Sequence, residues 1–327
     1  MAVTLFLLQP ASSQTSLDEY KVKKMIPVEG NGGWDYLAVD PATRRLFISH
    51  GTCVEVLDLK TEKVIGQIQN TPGVHGIAFV PSLGKGFISA GKLDSVVVFD
   101  LSTLQLLAKI PAGKNPDFIL FDPFSKQVFT FNGRDNSITA IEPATNHVVG
   151  TIHVSGKPEA AVSDGAGNIF CNIEDKATVV KFSAVTLKIE SEWPLAPGKD
   201  PTGLALDLKN KRLFAGCSGS NQLVVMDATN GRIIDALPIG DRCDGVLYIP
   251  DDRNVVTSNG EGTLTVIRQE GADKYMVVQT LGSHTSARTL TYDEKVRKIY
   301  LPCAVVTTEN GKRSIVPNTF KIVVVSK

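Results

Sequence analysis

Leu46-Phe47-Ile48-Ser49 decides the fold, because the same phrase returns as Gly86-Phe87-Ile88-Ser89, Val128-Phe129-Thr130-Phe131, Ile169-Phe170-Cys171-Asn172, Leu213-Phe214-Ala215-Gly216, Val255-Val256-Thr257-Ser258 and Ile299-Tyr300-Leu301-Pro302. Each copy is short, apolar, usually centred on an aromatic ring and bounded by turn residues, which is the pattern of a β-strand. A Val-rich strand follows each one, over Val54 to Asp58, Val96 to Asp100, Ile138 to Glu142, Val179 to Ser183, Leu223 to Asp227, Leu264 to Arg268 and Ile322 to Val325. Helical periodicity is absent. Before each phrase another strand opens on an anchor residue, at Asp35, His75, Asp117, Glu159, Thr202, Asp244 and Arg288, in steps of 40, 42, 42, 43, 42 and 44 residues. A period near 42 holds four strands of about six residues and four short turns, which is one propeller blade.

Seven anchors therefore predict an all-β, seven-bladed β-propeller with four-stranded antiparallel blades. The length agrees: of 327 residues, about 308 remain beyond a short leader, a little over seven periods. The last repeat runs out after its third strand, while the alternating segment Tyr20 to Val28 precedes the first anchor with no repeat of its own. The N-terminal strand is thus expected to complete the last blade, removing two open sheet edges at once. This gives one propeller domain over 20–327, with an insertion at 304–318 in blade seven.

Residues 1–19 read as a leader. Val3 to Leu8 is a short apolar run, followed by Pro10 and the small residues Ala11, Ser12 and Ser13, the layout of a signal peptide's hydrophobic region and cleavage site. Export to the periplasm or medium is the expectation. No stretch approaches the ~20 apolar residues of a membrane helix.

Composition narrows the function classes. Lys and Arg number 34 and so do Asp and Glu, so no net field gathers phosphates and broad nucleic-acid binding is disfavoured. At this length a core can bury roughly three quarters of the unfolded surface without help from metals or disulfides. The five cysteines, Cys53, Cys171, Cys217, Cys243 and Cys303, have no zinc-ribbon or haem-attachment spacing. If one bridge forms, the repeat register points to Cys217 with Cys243; buried free thiols are the simpler reading.

The period, the aromatic second strands, and the runs Gly33-Trp34-Asp35-Tyr36-Leu37, Ser49-His50-Gly51 and Ser258-Asn259-Gly260-Glu261-Gly262-Thr263 resemble the exported bacterial YncE-type propellers with Tyr-Val-Thr-Asn repeats. The resemblance spans about 20–327, although no copy reads Tyr-Val-Thr-Asn and Phe usually replaces Tyr. It implies a WD40-like repeat fold and an extracytoplasmic setting, and no particular reaction.

In such blades the entry to the first strand and the turn between the second and third strands share one face. That mouth should collect Trp34, Asp35, His50, His75, Asn115, Asp117, Asn132, Glu159, Asn172, Asp200, Arg242, Asp244, Asn259, His284 and Arg288. The opposite face receives Asp40-Pro41, Asp122-Pro123 and Ile249-Pro250, where Pro presets a turn and Asp caps it. His147 and His153 fall on outer segments. His50, His75 and His284 belong to consecutive blades of a closed ring, and with Asp35 they form an imidazole and carboxylate set suited to a divalent metal. The 304–318 insertion, with Lys312, Arg313 and Pro317, is either a lid or tolerated decoration. Arg288 beneath it could grip a carboxylate or phosphate, or simply neutralise nearby acids. Trp34 could stack on a ligand or pack between blades.

No phosphate loop, dinucleotide fingerprint or His-Glu-x-x-His occurs, and Gly216-Cys217-Ser218-Gly219 lacks nucleophile-elbow spacing. The first functional reading is therefore a non-catalytic, monomeric binding scaffold that holds a protein, glycan or small molecule at the mouth. The second is a propeller enzyme of the lactonase, lyase or quinoprotein kind, with His50, His75 or His284 as base or metal ligand and Asp35 orienting it. A third, single-stranded nucleic-acid binding through Trp34, Arg242 and Arg288, is opposed by the neutral charge.

Overall fold

The computed structural model describes residues 19–309 and 312–327. Among these residues it builds seven four-stranded antiparallel sheets and a small two-stranded one. Blade one is typical: Trp34–Asp40, Arg45–His50, Cys53–Asp58 and Lys63–Ile68 pair in sequence order, innermost strand first. The leader expected at 1–19 lies outside the described residues apart from Glu19. No helix of the described residues is long and apolar enough to cross a membrane.

The repeated phrase works because each second strand is buried on both of its faces. Leu46 and Ile48 pack toward blade seven with Tyr300, Ile322 and Val324, whereas Phe47 between them packs toward blade two with Ile77, Ile88 and Phe99. Two-residue alternation thus supplies the two neighbouring junctions from one strand. The same division gives seven apolar clusters, one per junction around the ring. Phe47, Phe87, Phe129 and Phe214 are wholly buried at equivalent positions, each contributing about 1.5–3 kcal/mol of transfer free energy. Outer strands such as Lys63–Ile68 and Leu106–Pro111 are mostly exposed, so they carry weaker apolar patterns.

Closure follows the predicted pairing. Lys21–Pro27 is the outer strand of blade seven, antiparallel to Lys321–Ser326 from Lys21 opposite Ser326 to Pro27 opposite Lys321. Tyr20 anchors the start, its hydroxyl donating to Asp252 at 2.8 Å and its backbone N–H donating to Gln279 at 3.0 Å.

All five cysteines are free, and Cys217 and Cys243 are buried thiols, so the bridge considered for them does not form. The blade-seven insertion becomes a hairpin, Val306–Glu309 with Lys312–Ile315. Its return is tied down: Asn318 N–H donates to Asn31 Oδ1 at 3.2 Å, and Phe320 enters the core between blades seven and one.

Candidate functional site

All seven anchors occupy the same place, the second residue of each blade's inner strand or its blade-seven equivalent, and six of them carry or oppose charge. In blades one to six the ladder between first and second strands slips at this point, for example between Trp34 and Leu37 and between Pro116 and Ile119. Such a bulge leaves residues unpaired and re-aims their side chains. Hydroxyls repair the backbone it frees. Ser49 Oγ accepts the Asp35 N–H at 2.8 Å, Ser89 Oγ accepts the Gly76 N–H at 2.8 Å, and Thr289 donates across the ring junction to Asp35 O at 2.6 Å.

The result is a ring reading Asp35, His75, Asp117, Glu159, Thr202, Asp244, Arg288. His75 Nδ1 lies 2.6 Å from Asp35 Oδ2 and 3.5 Å from Asp117 Oδ1. Arg288 pairs with Asp244 and, at 3.3 Å, with Asp35; it also donates to Trp34 O at 3.2 Å. Lys157 pairs with both Glu159 and Glu174. Four ring carboxylates therefore share two permanent cations, one of which is also engaged by Glu174.

That imbalance shows in the acidities. Burial and then Asp35 push Asp117 up to about 7, against the pull of His75. Burial and then Asp117 push Glu159 up to about 9, against Lys157. Burial also raises Asp244, with Arg288 opposing. Burial alone would lower His75, but the hydrogen bond to Asp35 and the field of Asp117 raise it on balance. Tyr36, one residue past Asp35, is raised by burial and then by the surrounding Asp117, Glu159, Asp35 and Asp244. It lines an axial cavity of about 280 Å³ together with Phe118, Ala160, Asp244 and Thr289. Phe118 meets it edge-on at 5.3 Å.

Several expected mouth residues lie elsewhere. His50 ends a second strand and is 2% exposed, stacked on Phe320 at 4.3 Å with Nδ1 turned 3.7 Å from Glu55. His284 bonds its own neighbour, Thr285 O, in the loop before blade seven. The structure thus joins only His75 and Asp35 of the expected metal set, and it adds Asp117. Asn259 is fully buried and donates to Thr263 and Thr265 within its own blade, as Asn132 does to Ser137 and Thr139. Asn172 donates to Gly203 O of the next blade. Trp34 packs on Phe320 with ring centroids 5.7 Å apart, so it serves the core rather than a stacking ligand. Asn115, Asp200 and Arg242 sit at left-handed turn positions leading into the ring. His153 is exposed on an outer strand, as expected, and His147, expected in the turn before it, opens that same strand and is also exposed.

Two ring contributors escaped the sequence reading, Tyr36 and Lys157. Simple alternation puts Tyr36 on the face opposite Asp35, and only the bulge brings it to the axis. Lys157 had a signal: Lys157-Pro158-Glu159 matches Asn115-Pro116-Asp117 and Asp200-Pro201-Thr202 in register.

The site and scaffold define the class: a seven-bladed β-propeller with an acid-rich channel mouth. No protein-family model matches the chain, and neither does any curated protein. Among solved structures it is similar to the WD40 repeats of RRP9 (TM-score 0.77, 10% identity, 93% of this chain and 99% of that one). It is also similar to a chain of the mitotic checkpoint complex (TM-score 0.77, 10% identity, 100% and 98%). A chain of hydrazine synthase from Kuenenia stuttgartiensis aligns less closely (TM-score 0.53, 17% identity, 74% and 97%). At these identities the likenesses establish the fold alone.

Proposed function

We propose that this chain is an extracytoplasmic binding propeller of the YncE-like kind, a single domain over 20–327, that holds a positively charged ligand or partner group at its channel mouth. The observation that carries this reading is the ring itself: the carboxylates Asp35, Asp117, Glu159 and Asp244, buried or half-buried, outnumber the permanent cations Arg288 and Lys157 beside them. Burial and mutual repulsion hold Asp117 and Glu159 above the usual carboxylate range, and a cation placed among them would relieve that repulsion and favour their charged forms. The aromatic walls Tyr36 and Phe118 beneath suit the apolar portion of such a ligand. Anionic partners, nucleic acid included, would meet carboxylate repulsion, and Arg288 is already engaged by Asp244 and Asp35.

The test is thermal shift of the purified full chain with cationic probes, 1,4-diaminobutane and a Lys-Arg peptide, beside an Asp-Glu peptide. A rise in Tm with a cationic probe, reduced in Asp244→Asn, supports the reading; a rise with only the acidic peptide sinks it. Fractionation of bacteria producing the chain tests the location, since retention in the cytoplasm with an intact leader contradicts export. A second reading, an enzyme, is favoured by the short His75–Asp35 contact, which fixes one imidazole nitrogen as a base–orienter pair requires. Turnover of lactone substrates that disappears in His75→Gln would move the assignment there.

A further inference from the structure

We propose that Asp35, His75 and Asp117 form a binding site for one divalent transition-metal ion, a proposal that rests on the cation-binding reading of the ring above and adds an inorganic cation to it. Three adjacent blades each contribute the same bulged position, and the donor atoms all lie within 4.8 Å of one another. The atom between the carboxylates is His75 Nδ1, at 2.6 Å from one and 3.5 Å from the other. A proton there serves two acceptors poorly, since it can lie in line with only one. A metal at about 2.0–2.2 Å from nitrogen and oxygen donors would replace that proton, with the close His75–Asp35 pair opening and the carboxylates drawing in around the ion.

The surroundings fit a ligand role for the ring. Nδ1 faces the acids, and Nε2 points the other way, toward bare Gly91: a Cβ there would come 2.8 Å from Nε2 and 2.9 Å from Asn115 Oδ1. The amide oxygen of Asn115 borders the same glycine as the nitrogen that keeps its proton when Nδ1 binds metal. Metal-bound imidazoles usually donate their other N–H to such an acceptor, which fixes the tautomer. One imidazole with two carboxylates is a mixed nitrogen and oxygen set, suited to Mn, Fe, Ni or Zn rather than to soft-ligand metals. Three protein donors leave coordination positions open toward the channel. Arg288 remains on the far side of Asp35, balancing Asp244, so it need not be displaced.

Isothermal titration of the chelator-treated full chain with ZnCl2 and MnCl2 is the experiment. Expected are one site per chain, affinity weakened at least tenfold in both Asp117→Asn and His75→Gln, and no change in His284→Ala. Bound Cu2+, used as a spectroscopic probe, should show coupling to a single imidazole nitrogen. No saturable binding, or binding unaffected by both ring variants, overturns the metal site. A Tm rise with 1,4-diaminobutane alongside absent metal binding would leave the cation-binding propeller standing without it; absence of both would remove the two together.

Discussion

The inner strands of blades one, three and five hold polar residues at two places five positions apart, Asp35 and Asp40, Asp117 and Asp122, Thr202 and Asp207, and the two ends treat the same chemistry in opposite ways. At the far end, Asp207 accepts from Lys209 N–H, Asn210 N–H, Asn210 Nδ2 and Gln269 Nε2 at 2.6 to 3.2 Å. Burial pushes its pKa up, but these donors win and hold it below the usual carboxylate range. Asp40 is the same, with Thr43, Ala42 and Arg45 overcoming burial. At the mouth, half-buried Asp117 and buried Glu159 meet other acids, and both are pushed up. One rim is satisfied by its own donors, and at the other the carboxylates face one another. A buried acid therefore says little by itself; its donors decide whether it caps a turn or waits for a partner.

The contrast presumes a closed ring, so the harshest test removes it. Deleting residues 20–28 strips the outer strand from blade seven and should abolish cooperative urea unfolding; a truncated chain that melts like the parent refutes closure. Next, Asp207→Ala should lower unfolding free energy by about 1–3 kcal/mol, because four donors lose their acceptor, whereas Asp117→Asn should cost nothing or stabilise. Equal losses from both would erase the distinction between the ends.

Titration sharpens it further. Glu159 holds its proton when folded up to about pH 9 but loses it near 4.3 when unfolded, so the folded state binds more protons between those values. Stability from this group falls as pH rises through that window, and Glu159→Gln should lose less stability than the parent between pH 5 and pH 9 in urea midpoints. Asp207 runs the other way: its contribution is present above pH ~4 and fades as pH falls through its lowered folded value. Asp207→Asn should accordingly show the smaller effect, a flatter stability profile from pH 5 to pH 3 by circular dichroism.

The repeat made the architecture readable because Phe47, Phe87, Phe129 and their counterparts answer the same packing demand in every blade, and a shared demand leaves a shared residue. The anchors were readable for the same reason. Direction was not. His50 and Asn259 end second strands near the mouth, as the register says, yet their side chains turn into the blade, and Trp34 turns away from its neighbour Asp35. The bulge that re-aims Asp35 and Tyr36 has no residue signature of its own beyond the serines, such as Ser49 and Ser89, whose hydroxyls mend it.

Pairing Lys21–Pro27 with Lys321–Ser326 also sets a schedule for biosynthesis. Lys21–Pro27 must idle while six blades assemble, and it meets its partner only when Lys321–Ser326, about 300 residues later in the chain, emerges. Two half-finished molecules can exchange these strands and interlock as a swapped pair. The exposed lysines Lys21, Lys23 and Lys24 give the waiting segment mutual repulsion, a guard against that mishap at high expression.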